Sequence, residues 1–157
     1  MVSSELLRRY SFFGGLTDGQ LKALSAIAEE KALEKNTLIF EECDTADKIY
    51  LLIDGNVDLS YRSIDEMHIY TTPPKEFYAG SINPGEVFSV SALIEPYSNN
   101  ATAKASELSH VIMIDAIELR KLLEQDLQLA YNLTRQTVRV LMERLIDLRV
   151  QLAANQP

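Results

Sequence analysis

Hydrophobic positions along this chain follow two periods. From Lys31 they fall in short runs and alternations, as in "KNTLIFEECDTADKIYLLIDGNVDLSYRS", rich in β-branched and aromatic side chains and bounded by Asn, Asp or Gly. That punctuation predicts short strands. Asp54-Gly55 predicts a hairpin turn between strands at Ile49–Ile53 and Val57–Tyr61, with positive φ at both central residues. The stretch "IDEMHIYTTPPKEFYAGSINPGEVF" continues the strands around a loop at Pro73-Pro74, and strand signals resume at Ala101–Ala105 and His110–Ile114. Many short strands spaced by turns predict an antiparallel sandwich or barrel.

The flanks carry the helical period. Ser3 or Ser4 leads a short helix over Glu5–Tyr10. Thr17 and Gln20 form a capping box ahead of a face made by Leu21, Leu24, Ile27 and Ala28. Asp115 caps Ala116–Glu124 with Glu118 at the third position, and Asp126 caps a final helix. In that helix Tyr131, Thr134, Val138, Leu141, Leu145, Leu148 and Leu152 recur at steps of three and four, which is a heptad seam. At roughly 40 Å the helix outruns a small β-domain. A parallel homodimer would cover the seam, each buried leucine contributing roughly 1.5–3 kcal/mol. The other arrangement folds the helix back on its own barrel, and Met142 and Ile146 widen the stripe toward such a face.

Composition narrows the chemistry. With 157 residues, 46% hydrophobic and 24% charged, the chain has the profile of one folded domain. No apolar run is long enough to cross a bilayer and the N-terminus lacks a secretion signal, so a cytoplasmic location is expected. A net charge of −8 weighs against gripping nucleic-acid phosphates. Cys43 is the only cysteine, which rules out an intrachain disulfide and a thiolate-rich metal site. The two histidines, His68 and His110, are too few for a barrel metalloenzyme. His110 and Met113 fall on opposite faces of a strand, which excludes a joint haem site. Cys43 has no histidine nearby in sequence to activate it. No catalytic residue, metal ligand or cofactor is therefore expected.

One segment has a different character. In "PGEVFSVSALIEPYSNNATA", Pro84–Ala103, a Pro-Gly turn leads into a short small-residue helix, a geometry whose free N–H groups attract an anion. Yet the segment has no lysine or arginine before Lys104.

Taken with its flanks, "FFGGLTDGQLKAL", "LIFEECDTADKIYLLIDGNVDL", "PGEVF" and "NNATAKA", the chain resembles the cyclic nucleotide-binding domain of the catabolite-activator and kinase regulatory-subunit superfamily. The resemblance covers nearly the whole length. It implies an α+β, mainly β fold: an antiparallel β-jelly roll (double-stranded β-helix) at 31–115 with a phosphate-binding cassette at 84–103. N-terminal helices occupy 1–30 and C-terminal helices, ending in a long dimerisation helix, occupy 116–154. In the family a cassette glutamate accepts a hydrogen bond from the ribose and an arginine meets the cyclic phosphate. Carried across, the glutamate role falls on Glu86, the arginine role on Asn99, and the small-residue position beside it on Asn100. Cys43 stands where the family usually has glycine.

The resemblance makes Gly85, Glu86, Val87, Ser89, Asn99, Asn100, Ala101 and Arg144 the candidate ligand site. Losing the arginine removes a charged hydrogen bond of roughly 1.5–3 kcal/mol, or one to two powers of ten in affinity. The asparagines have a second reading as turn residues, which tolerate left-handed backbone and close loops through their side chains. Glu86 has one as a turn or helix-cap residue. Arg144 either flanks the dimer seam in solvent or supplies the missing charge. The expected function is a sensor or regulatory module that binds a cyclic nucleotide or other small anion and signals through an unidentified protein partner, because no winged helix follows Ala154. The rival is a ligand-independent dimeric scaffold.

Overall fold

The structure is a computed structural model that describes residues 2–62 and 75–156. His68 and the Pro73-Pro74 loop lie outside the described residues. Helices α1 (Ser4–Arg8) and α2 (Asp18–Ala26) flank a 3₁₀ turn at Ser11–Phe13. Strands β1 (Ala28–Leu33), β2 (Leu38–Phe40), β3 (Lys48–Asp54), β4 (Val57–Arg62), β5 (Glu76–Ile82) and β6 (Val87–Phe88) follow. After a second 3₁₀ turn at Val90–Leu93 come β7 (Thr102–Ala105), β8 (Ser109–Asp115), α3 (Ala116–Gln125) and α4 (Leu127–Ala154).

The strands form two antiparallel four-stranded sheets, ordered β1-β8-β3-β6 and β2-β7-β4-β5, with the alternation of a jelly roll. The first sheet explains why "IYLLI" and "VIMI" are continuously apolar. On β3, Tyr50 and Leu52 point into the sandwich, where they meet Val57, Ile82, Phe88, Val111 and Met113. Ile49 and Leu51 point the other way, into a second core with Leu21, Leu24, Ile112, Ile114, Leu119, Leu129 and Leu133. A strand buried on both faces loses the polar half of its alternation.

Two expectations are corrected. Asp54-Gly55 does not close a hairpin: β3 pairs with β6 and β8, whereas β4 pairs with β5 and β7. The turn instead carries the chain from one sheet to the other, and of its two central residues only Gly55 has positive φ, at 100°. Glycine is required there by proximity as well, because a Cβ would lie 2.2 Å from Ser109 Oγ and 2.6 Å from its Cα. Ala28, expected on the face of α2, instead opens β1 opposite Ile114. Helix α2 ends two residues earlier, at Ala26, and the Ile27 N–H donates to the Leu24 carbonyl.

The capping signals appear as hydrogen bonds. Ser3 Oγ accepts from the Leu6 N–H at 3.1 Å and Asp115 from the Glu118 N–H at 2.9 Å. Thr17 and Gln20 complete both halves of their capping box. The free Gln20 amide nitrogen then donates to Asp126 Oδ2 at 3.0 Å, while Asp126 Oδ1 accepts from the Leu129 N–H at 3.0 Å. These two donors hold the Asp126 carboxyl below the usual carboxylate range. One aspartate thus caps α4 and ties it to α2.

Along α4, Leu129, Leu133 and Thr137 are buried against the domain. The seam residues Tyr131, Thr134, Val138, Leu141, Leu145, Leu148 and Leu152 are all exposed, from 43% at Leu148 to 64% at Leu152 for the apolar ones. The helix does lean on its own barrel, but on a different face. Gln151 reaches within 3.4 Å of where a Cβ would stand on Gly80 of β5.

Candidate functional site

The cassette opens at Pro84-Gly85, where Gly85 has φ 89° and its N–H donates to the Leu52 carbonyl at 2.7 Å. The Leu52 N–H returns a bond to the Glu86 carbonyl at 3.0 Å, so the turn is docked on β3. Val87 and Phe88 then pair with Leu51 and Tyr50. Ser89 takes a left-handed conformation, φ 64°, and turns the chain into the 3₁₀ segment. Its hydroxyl does not cap that segment and donates instead to Asn99 Oδ1 at 3.0 Å.

Asn99 is 4% exposed and stitched into its surroundings on three sides. Besides the Ser89 contact, its N–H donates to the Asp44 carbonyl at 2.9 Å and its carbonyl accepts from the Cys43 N–H at 2.7 Å. Neither Asn99 nor Asn100 has positive φ; among the described residues the left-handed non-glycine ones are Asn36, Cys43, Ser89 and Tyr97. The left-handed half of the turn reading is therefore corrected, while the Asn99 side chain does close the loop through its bond from Ser89. Burial and a side-chain hydrogen bond explain Asn99. Cys43 does occupy a glycine-like conformation, φ 73°.

Two cavities flank this cassette, each closed on one side by α4. The first, of about 190 Å³, is lined mainly by apolar side chains, including Phe40, Leu59, Tyr61, Phe88, Leu141 and Leu148. Ser89, Asn99, Asn100 and Ala101 from the expected site line it too. The second, of about 200 Å³, is polar and contains Gly85 and Glu86 together with Arg139, Glu143 and Asp147. The predicted site is thus divided: of its residues Val87 and Arg144 border both spaces, together with Val140 of α4.

Arg144 is the partition. Its guanidinium lies 3.5 Å from Glu86 Oε2 and 3.4 Å from the Val87 carbonyl, both at the outer limit of hydrogen-bond geometry. Its side chain is 22% exposed, so the reading of Arg144 as a solvated flank is corrected. Glu86 also accepts from Asn83 Nδ2 at 3.0 Å. Among the residues lining the apolar cavity, Arg144 is the one with a fixed positive charge.

Sequence reasoning missed the aromatic wall and one clamp. Tyr50 and Phe88 stack with centroids 5.1 Å apart, Phe40 lies 5.8 Å from Tyr50, and Tyr61 stacks on Phe77 at 5.4 Å. The two-residue period would have turned Tyr50 and Phe88 inward. The clamp is Arg120 of α3, whose guanidinium lies 3.8 Å from the Tyr97 ring centre at the cassette exit. Nothing in the spacing of 97 and 120 announces it. His110 pairs with Asp54 at 2.6 Å on the exposed side of β8, while Met113 is buried. Among the described residues no group of three His, Cys, Asp or Glu side chains is placed to hold a metal.

This architecture has known counterparts. The family model for the cyclic nucleotide-binding domain matches residues 30–126. The chain belongs to that family. A crystal structure described as a cyclic nucleotide-binding protein from Geobacter metallireducens is 34% identical with a TM-score of 0.80, covering 92% of this chain and 99% of its own. The N-terminal domain of a transcriptional regulator from Streptomyces coelicolor is 26% identical with a TM-score of 0.66, covering 88% of this chain and 91% of its own. A protein named as a potassium channel of Rhodopseudomonas palustris is 21% identical over 135 residues, 86% of this chain. The chain spans 30% of that relative's length. Among the described residues, no helix is long and apolar enough to cross a membrane.

Proposed function

We propose that the protein is a ligand-responsive regulatory module, dimeric through α4, whose affinity for cyclic AMP and cyclic GMP is weakened or lost. The observation that carries this reading is the location of positive charge. The cassette position that matches the family's arginine holds Asn99, buried and committed to Ser89, while the cation at the cavity comes from α4. An anion in the cavity would therefore bear on α4 before it engaged the cassette. Leu141 and Leu148 belong to both the cavity wall and the apolar seam, so an occupant would also touch the surface offered to a second chain. Occupancy then shifts the population of α4 positions, and a protein partner reads that shift. The lining favours binding over catalysis, since the cavity is chiefly apolar.

Thermal unfolding with cyclic nucleotide tests the weakened affinity. At 1 mM cyclic AMP or cyclic GMP, stabilisation stays below about 1 kcal/mol, which corresponds to a Kd above ~0.2 mM. Micromolar binding of either nucleotide would overturn it. The scaffold reading rests on the internal pairing of Glu86 with Asn83 and Arg144 and of Asn99 with Ser89, which leaves the cassette satisfied without a guest. It predicts that no small molecule moves the unfolding midpoint.

A further inference from the structure

The apolar cavity sets narrow terms for a guest, given the reading of that space as a ligand site. Its volume of about 190 Å³ is below the ~300–1,000 Å³ of pockets that hold drug-sized ligands. It is only slightly larger than a cavity of ~150 Å³ that admits a single benzene ring. Three aromatic side chains, Phe40, Tyr61 and Phe88, contribute to its wall. Ring faces and edges favour an aromatic partner over an aliphatic one of equal area. The same wall carries one guanidinium. Its contacts at 3.4 and 3.5 Å leave a planar set of donors poorly used, and a planar carboxylate matches that set.

We infer that the cavity takes a compact aromatic carboxylate, one ring in size, with its ring among Phe40, Tyr61 and Phe88 and its carboxylate on Arg144. The guest would exchange a long Arg144–Glu86 contact for a shorter, bidentate one. Glu86 keeps its bond from Asn83, so its release leaves no buried carboxylate unpaired. A cyclic nucleotide fits this space less well, because base, ribose and phosphate together exceed one ring and the phosphate meets Asn99 where the family presents a cation. Uncharged aromatics fill the ring space but leave the guanidinium where it is.

The test is calorimetric titration of the full chain with phenylacetate, 2-phenylethanol, acetate and cyclic AMP, repeated on Arg144→Met and Arg144→Gln. Phenylacetate is expected to bind at least about tenfold more tightly than 2-phenylethanol or acetate, as a charged hydrogen bond implies. Either substitution should weaken phenylacetate about ten- to a hundredfold and leave 2-phenylethanol within about twofold, which also certifies that the variant is folded. Phenylacetate binding unchanged in both variants, or no stronger than that of acetate, overturns the inference. Micromolar cyclic AMP without phenylacetate binding removes the ligand class and the weakened-nucleotide reading but leaves ligand response intact. If nothing binds, both the inference and the ligand-responsive reading fall and the scaffold remains.

Discussion

Cys43 and Gly55 show how much a single backbone angle decides. Cys43 is exposed and held at φ 73°, a conformation that costs a side-chain-bearing residue roughly 1–2 kcal/mol. Glycine removes that cost but loses roughly 0.5–1 kcal/mol of chain entropy, so Cys43→Gly is expected to stabilise by about 0.5–1 kcal/mol in urea unfolding. Gly55→Ala should do the reverse, costing ~3 kcal/mol or more, since strain and overpacking add. Removing the Ser109 hydroxyl in the same chain should not rescue it, because the Ser109 Cα is also within 2.6 Å of the added carbon. Gly55 was legible as a turn in the sequence, and Cys43 as a position where the family usually has glycine. What the turn joins was not, because Asp54-Gly55 has the same letters whether the next strand pairs with the last or crosses to another sheet. Asn99 was legible as the absence of a cation and as a turn residue, but not as a buried one. Its burial and its bond to Ser89 depend on a left-handed residue ten positions earlier.

At the level of elements, the aspartate caps were readable because a cap is a local bargain between a side chain and an N–H three residues on. Asp115 and Asp126 both have carboxyl groups held below the usual range, Asp115 chiefly by the Glu118 N–H and Asp126 chiefly by the Gln20 amide. A folded-state value below the unfolded one contributes stability at pH above the unfolded value, near ~3.9, and loses it as pH falls through the folded value. Asp126→Asn keeps a capping oxygen but removes the titration. Its acid unfolding curve should therefore be shallower below about pH 4 than that of the wild type. The seam on α4 belongs to the same scale. It was legible because a helix repeats its face every three or four residues, but which side of the stripe would meet the barrel was not. The structure turns Leu129, Leu133 and Thr137 inward and leaves Leu145, 57% exposed, facing away. If the dimer proposed above forms along this seam, Leu145→Glu is expected to convert it to a monomer in light scattering while the monomer keeps its helical signal. A dimer that survives this change would place the interface elsewhere.

For the molecule as a whole, the alternation of short strands and the family motifs together predicted the jelly roll, and the two sheets have that topology. The division of the site into two cavities was not predictable, since it depends on where a long helix comes to rest. Arg144 lies 58 residues from Glu86 in sequence, and no local pattern announces such a contact. The resemblance offered Arg144 as one source of the charge that the cassette lacks, and the placement of α4 across the cassette is what brings it to Glu86.

The double use of Asp126 has a mechanical consequence. Bonded at once to Gln20 of α2 and to the first turn of α4, it pins one end of a 28-residue rod to the domain. A pinned rod pivots. With ~40 Å between fulcrum and tip, a tilt of about 5° provoked near Arg144 would sweep the distal end by roughly 3–4 Å, enough to slide one row of leucines past another. Arg144, about 27 Å from the fulcrum, would itself move by roughly 2 Å, and that shift would be felt as a change of grip at the far end of the lever.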